Sequence, residues 1–161
     1  MKRSVGRLVT GWTLAGVGAL FAWAAYRLGA RGMDTLRGGL EAGQWVALVG
    51  LVLLFVYGEG FLALDQRWVP KLVQRARRLR DEPGVLIRLL APLYGLSLVG
   101  TERGELLRGW AGTLVVVGAV LTVRVFPEPW RGIVDLSVAA ALVFGLVAIM
   151  RRVPHAVGTG E

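Results

Sequence analysis

The chain has 161 residues, of which 55% are apolar and 19% charged, with 23 glycines and a formal net charge of +8. So little charge cannot cover a water-soluble domain of this size, and the apolar residues come in blocks of membrane-spanning length. The absence of cysteine excludes disulfides, thiol nucleophiles and cysteine-ligated metal centres, and a single histidine, His155, excludes two-histidine metal sites.

The first apolar block, Leu8–Tyr26, follows Lys2, Arg3 and Arg7. Ala22-Trp23-Ala24 resembles a secretory cleavage site. The block is longer than the apolar core of a signal, however, and Tyr26-Arg27 follow closely. An uncleaved first span over residues 8–26 is expected, with Gly11, Ala15 and Ala19 as a small-residue face for close helix packing.

The second block, Gln44–Leu64, carries the deepest carboxylate, Glu59, in Tyr57-Gly58-Glu59-Gly60. Glu59 lies about one and a half turns, roughly 8 Å, from the cytoplasmic end of its span.

Residues 65–81 form the next element. Trp68, Val69, Leu72, Val73, Ala76 and Leu79 recur at helical spacing, with Arg75 and Arg78 opposite. Pro70 suits a first helical turn. A basic amphipathic helix in the headgroup plane is expected. It either anchors topology or docks anionic lipid or a partner protein through Trp68, Lys71, Arg75 and Arg78.

Gly84–Gly100 is apolar too, but holds Arg88 and a central Pro92. Positive charge decides its reading, because cytoplasmic loops collect it. If the block does not cross, Lys2, Arg3, Arg7, Arg67, Lys71, Arg75, Arg77, Arg78, Arg80, Arg88, Arg103, Arg108, Arg151 and Arg152 lie inside. Only Arg27, Arg31, Arg37, Arg124 and Arg131 lie outside. If it crosses, Arg103, Arg108, Arg151 and Arg152 move out, Arg124 and Arg131 move in, and the asymmetry shrinks. A short re-entrant or interfacial helix on the cytoplasmic side is therefore expected. Dipping into the bilayer, it would bring Arg88 to the depth of Glu59, and a Glu59–Arg88 pair would satisfy both charges.

Two further spans follow, Leu106–Phe126 and Ile133–Met150. Ala111, Val115 and Ala119 give the first a small face, and Ser137, Ala141 and Gly145 the second. The short link Pro127–Gly132 predicts an antiparallel hairpin. Arg124, Arg131 and Asp135 would clasp its outer end, Asp135 gaining from the helix dipole in the first turn. Residues 154–161 read as a flexible tail.

The strings Tyr57-Gly58-Glu59-Gly60, Arg67-Trp68-Val69-Pro70, Leu90-Ala91-Pro92-Leu93-Tyr94 and Pro129-Trp130-Arg131-Gly132-Ile133-Val134-Asp135 resemble those of small, uncharacterised bacterial inner-membrane proteins. The resemblance covers about residues 44–150 and implies a bacterial polytopic membrane protein, without an activity.

The fold class expected is all-α: an integral membrane bundle of four transmembrane helices, a cytoplasmic amphipathic helix and the short helix of 84–100. Residues 1–153 form one domain with both termini cytoplasmic. No clustered carboxylates, activated serine or internal repeat points to an enzyme or a transporter built from repeats. No cofactor or metal is expected. Basic residues flank the apolar blocks instead of forming one patch, so anionic lipid headgroups, other membrane proteins or a second copy are the expected partners, and nucleic acid is not. The function expected is an accessory or scaffold subunit of a membrane complex. The alternative is a small oligomeric transporter or channel with Glu59 as its coupling or selectivity carboxylate.

Overall fold

A computed structural model describes residues 2–79, 84, 86, 89–99 and 103–158, and among them there are helices and no strand. Four helices are long and apolar enough to cross a membrane, over Gly6–Arg37, Ala42–Arg78, Leu106–Val123 and Trp130–Pro154. Among the described residues, none of these four helices lies in the block at 84–100.

Helix α1, Lys2–Arg37, runs well beyond Tyr26. No proline interrupts it, and it stops only at Gly38-Gly39, where Gly39 takes φ +83° and the two glycine amides bond back to Asp34 and Leu36. At ~1.5 Å per residue it is about 54 Å long, nearly twice a ~30 Å hydrocarbon core. The chain reverses at once: the amide of Glu41 donates to Gln44 Oε1 at 2.9 Å, half of a capping box that starts α2, Ala42–Phe55.

α2 does not end at the predicted span boundary. It passes into a π-helical stretch, Val56–Trp68, and then into α3, Val69–Arg78, so that span and basic helix form one continuous rod. The switch back to α geometry falls at Pro70, which lacks an N–H. A change of hydrogen-bond register there loses a bond that proline would delete anyway.

The short helix α4, Ala91–Gly95, leads through Leu96–Val99 toward α5, Arg103–Val123; a link around Pro127 then leads into α6, Trp130–Gly158. The tail expected to be flexible from residue 154 is helical to Gly158. Ala156 is fully buried in the core, and its packing offsets the bond that Pro154 removes.

The core is a three-rod assembly. α1 and α6 run antiparallel along a seam where Gly32 meets Leu136 and Gly132, Gly29 meets Ala139, and Gly18 meets Leu146. The α2–α3 rod lies parallel to α6, with Gly60 against Phe144 and Leu64 against Gly145. Leu14, Val17, Val69, Leu72, Ala76, Ala148, Ile149 and Ala156 close the core. Two ends result. At one, here the loop end, lie Gly38–Gln44 and Glu128–Arg131; at the other, the basic end, lie the start of α1, α3, α4 and the end of α6.

Three packing expectations change. The face of α1 that packs is not Gly11, Ala15 and Ala19: Ala15 and Ala19 are exposed, and Gly11 has open space beside it. α1 uses Leu14, Val17, Gly18, Phe21, Ala25, Gly29 and Gly32 instead. The stretch of α1 beside α6 therefore lies nearer the loop end than 8–26. Second, the apolar face of α3 does not rest on lipid. Val69, Leu72, Ala76 and Leu79 are fully buried against protein. Third, α5 and α6 do not form a packed hairpin, because α5 packs along none of the other described helices. In α6 the expected face, Ser137, Ala141 and Gly145, is buried.

Candidate functional site

At the basic end, α3 and the last turns of the π-helical stretch before it are fastened on three sides. Thr10 Oγ1 donates to the Ala76 carbonyl at 3.2 Å, and the Trp68 ring stacks on Phe21 with centroids 5.4 Å apart. Asp65, half-buried, pairs with Arg152 of α6, which also donates to Ala148 O. α4 wedges in beside them: Pro92 sits against Gly16, and Gly95 against Leu72 and Thr13. Arg75 Nη1 donates to Gly95 O at 3.4 Å. Of the four residues expected to dock lipid or a partner, Trp68 therefore faces the core and Arg75 braces α4. Lys71 and Arg78 are exposed, together with Arg67. Trp12 donates to Leu89 O at 3.4 Å, while Leu86 and Leu89 remain exposed beside it.

At the loop end a cleft of about 840 Å³ opens among Arg31, Asp34, Thr35, Glu41, Glu128 and Arg131. Its acids are largely engaged: Asp34 pairs with Arg37 at 2.9 Å, and Glu128 accepts from Thr35 at 3.1 Å. Asp135, only 6% exposed, lies behind it, with one carboxylate oxygen unbonded among the described residues. The cations acting on it are Arg131 and Arg31. Arg124 is exposed on the far side of the link, and its side chain makes no hydrogen bond or ion pair with a described residue. The physical reason is α1's extra length, which carries Arg31 up beside α6, while α5 leans away with Arg124. No sequence signal places Arg31 at this position, because residue 31 lies beyond the apolar block.

Glu59 is exposed on the π-helical stretch and forms no ion pair with a described residue. Arg88, its expected partner, lies outside the described residues. On α5, Arg108 is exposed inside the apolar stretch Leu106–Val123 and forms no ion pair with a described residue.

α5 itself is the most unusual surface. None of the apolar stretch Leu106–Val123 is buried. Leu107, Leu114, Val115 and Val116 point in different directions around the helix, yet each is more than 60% exposed. It touches the rest of the chain at its basic end, where a side chain on Gly109 would meet the Ser97 carbonyl at 2.5 Å. α2 is nearly as open, with 11% of its apolar stretch buried and Val46, Val49, Leu53 and Leu54 exposed. Uncovered apolar helix, with Glu59 and Arg108 exposed on it, is thus the principal candidate surface.

No protein-family model, no curated protein and no solved structure matches this chain.

Proposed function

We propose that this chain is a non-enzymatic accessory or scaffold subunit of a membrane complex, working by helix–helix association. The observation that carries the reading is α5, an apolar helix of spanning length with no residue of its stretch covered. In lipid, apolar burial gives no net drive, so helices associate through close packing and polar contacts. An internal helix would find these contacts in its own bundle. α5 leaves them open for another polypeptide. The excess of Lys and Arg at the basic end favours a cytoplasmic location for that end and both termini. Arg67, Lys71 and Arg78 then face anionic headgroups. The resemblance of short strings to small bacterial inner-membrane proteins supports an inner-membrane location.

The test is direct extraction of native membrane into polymer-bounded lipid discs, followed by mass measurement of the protein component. The reading expects a mass above one chain. A uniform population of single chains would sink it.

A second reading, a small transporter or channel, is favoured by one observation: Glu59 is exposed within a π-helical stretch, a geometry enriched at functional sites. Glu59→Gln should then abolish ion flux into proteoliposomes without loss of folding. Undiminished flux, or no flux from the unaltered protein, removes it.

A further inference from the structure

We propose that α5 docks along the α2 face of a second copy of this chain, with Arg108 pairing with the second copy's Glu59; the inference rests on the association reading above and names the partner. Four observations converge on it. α5 and α2 are the two helices whose apolar stretches are least buried, 0% and 11%. Arg108 lies within the apolar stretch of α5, and Glu59 lies on the π-helical continuation of α2; each is exposed without an ion pair to a described residue, and the two charges are opposite. An ionised side chain in an apolar stretch is costly until it finds a counter-charge, so each group needs what the other offers.

The third observation is depth. At ~1.5 Å per residue, Glu59 lies roughly 25 Å from the start of α2, and Arg108 roughly 23 Å from the end of α5. Both of those termini are at the loop end, so the charges stand at nearly one level. The fourth is direction. α2 runs from loop end to basic end and α5 the opposite way. A two-fold axis along the bundle keeps the ends of two copies together and sets the α5 of each antiparallel to the α2 of the other. The contact is then reciprocal, with two Glu59–Arg108 pairs and a closed dimer. Within one chain the pair does not form, because α5 is held at Gly109 by the Ser97 backbone and tied to α6 through the loop-end link.

A chain without cysteine makes the test clean. Two differently tagged copies are co-expressed, one carrying Leu51→Cys and the other Val115→Cys. These positions lie about two turns from the charges toward the loop end, on α2 and α5 respectively. Oxidation in native membranes should give a disulfide-linked dimer bearing both tags. Glu59→Arg or Arg108→Glu alone should lower its yield at least about tenfold, and the two together should restore it. Restoration by the double swap also separates lost pairing from misfolding in either single variant. No cross-link between tags overturns the proposal, as does a cross-link unaffected by either charge reversal. A monomer-only disulfide when both cysteines are placed on one chain does the same. Should the cross-link fail while the disc-bound mass still exceeds one chain, the second-copy assignment falls and the association reading stands. A single-chain mass defeats both.

Discussion

Two antiparallel approaches could have been made by α6, one with α1 and one with α5, and only the first exists. Against α1, α6 brings its backbone so close that a side chain on Gly132 would fall 1.8 Å from Thr35 Oγ1, and one on Gly32 would fall 2.4 Å from Leu136. Against α5, its neighbour in sequence, it makes no packed interface. Gly112 and Gly118 of α5 have open space where a side chain would go. The contrast shows that chain adjacency does not decide helix pairing in lipid. Close contact does, because dispersion between atoms at van der Waals distance is the gain available when the solvent is itself apolar.

The most severe way to break that contrast is to fill the seam. Gly132→Leu pushes against Thr35 Cβ as well as its hydroxyl, and neither can swing clear without moving α1. Overpacking of this kind costs about 3 kcal/mol or more. Thermal or SDS unfolding in detergent should show a clear loss of stability. An unchanged midpoint would mean that the seam is not tight in the folded protein.

A smaller effect is expected where the α2–α3 rod is tied to α6. Asp65 and Arg152 keep about a fifth to a third of their side chains exposed, so water screens the pair. Asp65→Ala or Arg152→Ala should each cost about 1–2 kcal/mol, between the values for exposed and buried pairs. Arg152→Ala should be the costlier, since it also loses the bond to Ala148 O. The double variant should cost less than the two single losses added together. Full additivity in that cycle would show that the two side chains do not interact.

The four long helices were legible because about twenty consecutive apolar residues have few alternatives to spanning lipid as helix. Which face of each helix packs was not. α1 carries glycine and alanine nearly all round, so Gly11, Ala15 and Ala19 look as suitable as Gly18, Ala25 and Gly29. The choice is made by the shape of α6, which no pattern in α1 encodes. The apolar face of α3 was visible in Val69, Leu72, Ala76 and Leu79, but its cover was not, since protein and lipid ask for the same residues. The fusion of α2 with α3 left no mark because Pro70 can begin a helix or sit inside a register change. Asp135 stood out as a carboxylate at a helix start. Its neighbour Arg31 did not, because that contact depends on α1 continuing to Arg37.

The mildest variant is the most informative about α5. Gly118→Leu adds a large apolar side chain where no atom lies within 4 Å, on a helix whose neighbours Val117 and Val120 are already exposed. If α5 faces lipid or a partner, the folding of one chain should not register the change, and stability in detergent should shift by no more than about 0.5 kcal/mol. The same substitution is not neutral for association. A face that meets another helix needs close approach, and a leucine there holds the two backbones apart. The mass of the disc-bound particle should therefore move toward one chain while the unfolding midpoint stays in place. A lost midpoint would instead place α5 inside its own bundle, and α6 would then have two antiparallel packed neighbours where the structure shows one, α1.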